Sequence, residues 1–132
     1  MTLTFEAALR TELMTITSLN NKVFPMRAPE GMEAPYLIYT TTLGDYDKSL
    51  EGWHKSKGVT VELNVIHDRA SAVRALGREV QELVMGFEGK RLAGTGPLID
   101  EIVFEGEGVE LYEAQVDLYR KVISFKTYFK EE

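Results

Sequence analysis

The stretch Val59-Thr60-Val61-Glu62-Leu63-Asn64-Val65-Ile66 decides how the rest of the chain is read. Val59, Val61, Leu63 and Val65 fall on one face of an extended strand, and Thr60, Glu62 and Asn64 fall on the other. This is the alternation of a sheet with one face on a core and one in solvent. Upstream, Tyr36 to Leu43 is rich in β-branched and aromatic residues and predicts a partner strand, joined as a hairpin across a long loop, Gly44 to Gly58. Downstream, Val73, Leu76, Val80, Leu83 and Val84 recur at helical spacing, predicting a helix from Arg69 to Met85. Asp68 or Ser71 is placed to cap its start and Gly86 to follow its end. Gly77 inside it costs about 1 kcal/mol relative to Ala, marking either a close approach to the sheet or a tolerated loss.

The same reading extends outward. Phe5, Leu9, Leu13 and Ile16 predict a first helix over Thr4 to Thr17, ended near Asn20-Asn21. Pro25, Pro29 and Pro35 predict an extended connection. Beyond a loop from Gly89 to Pro97, Leu98 to Phe104 and Tyr119 to Phe129 predict two more strands, with Ile123, Phe125 and Phe129 sharing a face. The order α-β-β-α-β-β predicts an α+β fold over residues 1–132. In it a four-stranded, mainly antiparallel sheet carries two helices packed on one face.

Composition bounds what such a domain does. The 132 residues are 44% apolar and 27% charged, the balance of a globular chain. At this length about two thirds of the unfolded surface is buried on folding. A net charge of −6 argues against binding nucleic acid through phosphate neutralisation, so no specific nucleic-acid partner is expected. The absence of cysteine excludes disulfides, thiolate zinc sites and cysteine nucleophiles. The opening Met1-Thr2-Leu3-Thr4-Phe5-Glu6 has neither a basic nor an apolar signal region, and no apolar run approaches membrane-spanning length. The expectation is a cytoplasmic protein with no membrane partner.

Chemistry-bearing motifs are sparse. His67-Asp68 stands at a strand-to-helix junction, where a general base or metal ligand is one reading and a capping Asp beside an incidental His is the other. His54 is the only other histidine, at no metal-ligand spacing. Gly94-Thr95-Gly96-Pro97 lacks the Lys-Ser/Thr of a phosphate-binding loop and reads as a turn. No catalytic, metal or cofactor residue is therefore assigned.

Two features point to contact instead. The loop 44–58 carries Tyr46, Leu50 and Trp53, residue types that anchor interfaces, although Trp53 folding back onto its own domain is the alternative. From Asp100 to Asp117 there are acidic residues and no Lys or Arg, among them Glu105, Glu107, Glu110 and Glu113. Such a block makes either a negative working surface or a solvated hairpin tip.

Several segments together resemble the small tail-completion proteins of long-tailed bacteriophages and prophages. They are Val23-Phe24-Pro25-Met26-Arg27-Ala28-Pro29-Glu30-Gly31, then Pro35-Tyr36-Leu37-Ile38-Tyr39, the alternating strand, Leu111-Tyr112-Glu113, Leu118-Tyr119-Arg120 and the aromatic ending Tyr128-Phe129. Asp117 stands where that family commonly has a turn glycine. The resemblance implies a tail terminator, or head-to-tail joining protein, without enzymatic activity or cofactor. Such a protein forms a ring, hexameric in related phages, that caps the tail tube and docks it to the head connector. Its partners are then copies of itself, the major tail tube protein and the head connector or stopper. Its places are the host cytoplasm during assembly and the head–tail interface of the virion. In that setting Tyr46, Leu50 and Trp53 are expected at an oligomer or tube interface, and Glu105, Glu107, Glu110 and Glu113 on an acidic surface facing the lumen. A head-side connector or adaptor is the alternative of the same class, and a small ligand-binding or enzymatic domain using His67-Asp68 the alternative of another.

Overall fold

A computed structural model describes the backbone of residues 4–49, 52–106 and 108–130, with side chains outside 43–57 and 130. The first helix, α1 (Phe5–Leu13), starts at Thr4, whose hydroxyl accepts the Ala7 N–H. It stops a turn earlier than its apolar spacing predicts. The chain continues through a short 3₁₀ turn, Thr17–Leu19, and Asn21 (φ 62°) then adopts the left-handed conformation that redirects it. The six strands are β1 (Val23–Pro25), β2 (Tyr36–Ser49), β3 (Gly52–His67), β4 (Leu98–Phe104), β5 (Val109–Glu113) and β6 (Leu118–Lys130). The second helix, α2 (Ala70–Met85), lies between β3 and β4. Its N-cap is Arg69, with no side-chain capping bond, so neither Asp68 nor Ser71 caps it, while Gly86 does end it.

The sheet runs β1-β2-β3-β6-β4, with β5 also paired to β6. β1 is parallel to β2 and every other pairing is antiparallel. The expectation of a four-stranded, mainly antiparallel sheet is thus corrected to a six-stranded mixed sheet, while the α+β class stands. Two strands were missed for different reasons. β1 is three residues long, ends on a proline and lies in a segment read as a connector. β5 is exposed at nearly every position, so it lacks the one-sided apolar pattern that marks a strand.

One face of the sheet builds the core. Leu37 and Tyr39 on β2, Val59, Val61, Leu63 and Val65 on β3, and Ile123, Phe125 and Phe129 on β6 are buried together with the apolar stripes of both helices. Phe5 of α1 stacks on Phe129 with ring centroids 4.6 Å apart. On β4 the register shifts between Ile99 and Glu101. That bulge lets Ile99, Ile102 and Phe104 all meet the core despite breaking strict alternation. The opposite face carries Thr60, Glu62, Asn64 and Ser124 and is covered by no helix among the described residues.

Candidate assembly surfaces

The first candidate surface is the β2–β3 arm. Gly44 to Gly58 is not a loop: β2 continues to Ser49 and β3 begins at Gly52, their ends in register as Ser49 opposite Gly52. The correction has a local cause. Gly, Asp, Lys and Ser residues suggested a loop, but two register irregularities, between Leu43 and Tyr46 and between Tyr46 and Lys48, absorb them within a twisted ladder. Tyr46 stands opposite Lys57 and Trp53 opposite Lys48, so the structure brings both onto the arm. Leu50 lies outside the described residues.

The second candidate is the acidic segment, which the structure divides. On β5, Glu110 and Glu113 are three positions apart and therefore project from opposite faces. On the helix side, Arg74 Nε of α2 donates to Glu110 Oε1 at 2.5 Å. On the open side, Arg120 Nε donates to Glu113 Oε1 at 2.6 Å, while its Nη1 donates to Asn64 Oδ1 at 3.0 Å. Asn64 in turn donates to Glu62, completing a polar chain across β3, β6 and β5. Glu105 is exposed, its backbone N–H bonded to Ser124 O. Glu107 lies outside the described residues. Between these charges the open face shows Val103, Val109 and Leu111, 44%, 55% and 48% exposed. The alternation Val109-x-Leu111 was the available signal for this strand, obscured by the flanking glutamates.

The β5–β6 turn explains the departure at Asp117. It holds φ 54°, the conformation a glycine would take, and its carboxylate accepts the Tyr112 hydroxyl at 2.8 Å. That bond to a carboxylate raises the Tyr112 pKa, since the phenolate would lose the donor and face a like charge.

His67 meets Asp68 through Nδ1. Its Nδ1 lies 2.8 Å from Asp68 Oδ1 and 2.8 Å from Asp68 N, so it either donates to the carboxylate or accepts the backbone N–H, according to its tautomer. No group of three or more His, Asp or Glu side chains able to hold a metal occurs among the described residues. Two clefts of about 200 Å³ each flank Arg74 between α2 and β5, one lined by Arg78, Gln81 and Lys121, the other by Val73, Tyr112 and Tyr119. Neither contains His67. No helix among the described residues is long and apolar enough to cross a membrane.

No protein-family model matches the chain, and no curated protein matches it either. Solved structures do. A chain in the virion of a native gene transfer agent (GTA) particle superposes with a TM-score of 0.66, covering 96% of this chain and 94% of its own, at 16% identity. At that identity the likeness is one of fold, and it extends over almost the entire length of both chains.

Proposed function

We propose that this chain is a structural virion protein of the phage type, a tail terminator that assembles into a ring, caps the tail tube and joins it to the head connector. The observation that carries this reading is the end-to-end fold likeness to a chain of a virion. The tail-completion motifs, met in the same order along the sequence, supply the finer assignment. A cyclic head-to-tail assembly needs two different surfaces on each subunit. The β2–β3 arm, whose strands carry Tyr46 and Trp53, is our candidate for one of them. The role requires no bond-making chemistry. Co-sedimentation with purified tails and, separately, with DNA-filled heads tests the assignment. Uptake by tails is the expected result. Uptake by filled heads alone makes the protein a head-side adaptor, and uptake by neither removes the joining role.

A further inference from the structure

The edges of the sheet are treated unequally, and the inequality points to how copies join. Backbone groups alternate along a strand, so the hydrogen bonds made on one side fix which residues aim outward. Leu37 N–H bonds Lys22 O and Tyr39 O accepts Met26 N–H, so odd-numbered residues of β2 face β1. Past Tyr39 there is no β1 to meet, and Thr41 and Leu43 aim their backbone groups off the sheet. On β6, Ser124 O accepts Glu105 N–H, so even-numbered residues face β4 and β5. In the β5 register, Val109, Leu111 and Glu113 therefore bond to β6, while Glu110 and Tyr112 aim theirs outward.

The other two edges are closed over most of their length. On β1, Val23 O accepts Arg10 Nε at 3.0 Å, Pro25 has no N–H, and Pro25 O accepts Arg27 N–H. On β4, the 89–91 segment returns alongside: Gly89 N–H bonds Ile99 O, Lys90 O accepts Ile99 N–H, and Arg91 bridges Leu98. The next outward N–H, of Ile102, is taken by the Glu88 carboxylate at 2.9 Å. Such devices keep strand edges from pairing with other chains. Among the described residues, no comparable bond takes the outward backbone groups of Thr41 on β2 or of Glu110 and Tyr112 on β5, although the Thr41 hydroxyl donates to Glu6 Oε1 of α1 at 2.9 Å.

We infer that β5 of one copy adds to the outer edge of β2 of the next, making a sheet that continues from subunit to subunit. The directions agree: β5 runs antiparallel to β6, β6 antiparallel to β3, and β3 antiparallel to β2, so β5 meets a neighbouring β2 antiparallel. The offset agrees too. β5 lies level with the Tyr36–Ile66 end of the sheet, whereas the open part of β2 starts five residues further along it. Each copy is thus staggered relative to the last, as closure of a sheet into a ring requires. The two edges differ, so the contact is heterologous and is satisfied only by closure or by an open filament.

This inference rests on the ring-forming reading, and its test separates the two. The chain has no cysteine, so introduced pairs are the only thiols. Thr40 and Thr42 on β2, and Val109 and Leu111 on β5, turn their own backbone groups inward. Across the new contact they are therefore non-hydrogen-bonded neighbours, with side chains close enough for a disulfide. The four double variants combining Thr40→Cys or Thr42→Cys with Val109→Cys or Leu111→Cys sample the adjacent registers. After oxidation on tail ends, at least one is expected to give a ladder of linked subunits up to the full ring, and the single variants none. As a second readout, Thr41→Pro removes one outward N–H while leaving the ladder to β3 intact, and Thr41→Val keeps that N–H. Loss of rings in Thr41→Pro, with an unchanged circular-dichroism spectrum and with rings retained in Thr41→Val, is expected. Capped tails with no cross-linked pair overturn the edge contact and leave the terminator reading standing. A single Leu111→Cys variant that links into dimers and goes no further overturns the head-to-tail arrangement in favour of a two-fold one. Wild-type protein that neither self-associates nor caps tails overturns the ring reading itself.

Discussion

Glu12 joins two distant parts of the chain through one oxygen. Its Oε2 accepts the Ala93 N–H at 2.8 Å and pairs with Lys90 Nζ at 3.0 Å, with the residue only 6% exposed. Truncating it leaves a part-buried N–H without a partner, so Glu12→Ala is expected to cost about 1–3 kcal/mol in urea denaturation. Lys90 is 45% exposed, so Lys90→Ala is expected to cost about 0–1 kcal/mol. Tyr39 carries a pH signature. Burial raises its pKa above 10.0, nearby Glu6 adds to the rise, and Arg10 opposes it. The folded state then holds the phenolic proton more tightly than the unfolded chain does. That contribution is complete below pH 10 and is lost as pH rises through the folded-state value. Stability is expected to fall on the alkaline side, and Tyr39→Phe to flatten that fall, in denaturation curves collected from neutral pH upward.

At the scale of elements, α2 meets the sheet at Gly77. A Cβ there would stand 2.9 Å from Lys121 Cγ, so the glycine permits a close approach that the sequence left open as one of two readings. Alanine at Gly77 would gain about 1 kcal/mol of helix propensity, but Lys121 opposes it. In a double-mutant cycle, Gly77→Ala is expected to be neutral or destabilising alone and stabilising by about 1 kcal/mol on a Lys121→Ala background. Elements were legible in the sequence where one face is buried. The stripe over Val73–Val84 marked α2 to within a residue at its start, and the alternation over Val59–Ile66 marked the inner half of β3. Leu98–Phe104 was found at its observed bounds. What escaped lacks that signal: β1, short and proline-ended; β5, exposed at nearly every position; and the outer halves of β2 and β3, whose Gly, Asp, Lys and Ser residues break the alternation. The same physics hid the open strand edges, since an edge is defined by backbone groups that no side-chain pattern reports.

For the whole molecule, charge limits what a surface facing the lumen of the proposed ring would do. Glu110 and Glu113 are held by Arg74 and Arg120, so the exposed Glu105 is the better candidate to repel passing DNA. Glu105→Gln combined with Glu107→Gln is expected to leave ring formation unchanged and to slow DNA ejection through the tail. Unchanged ejection kinetics discard the lumen role. The fold itself reads as a platform with one face committed to its own core and the edges partly closed. The central claim is that the chain works by touching copies of itself and a tube. The most direct measurement is electron-microscopic averaging of isolated tails before and after addition of the purified protein. The account predicts one added layer of rotationally repeated density, confined to one end of each tail. Tail ends that look identical in both samples contradict it.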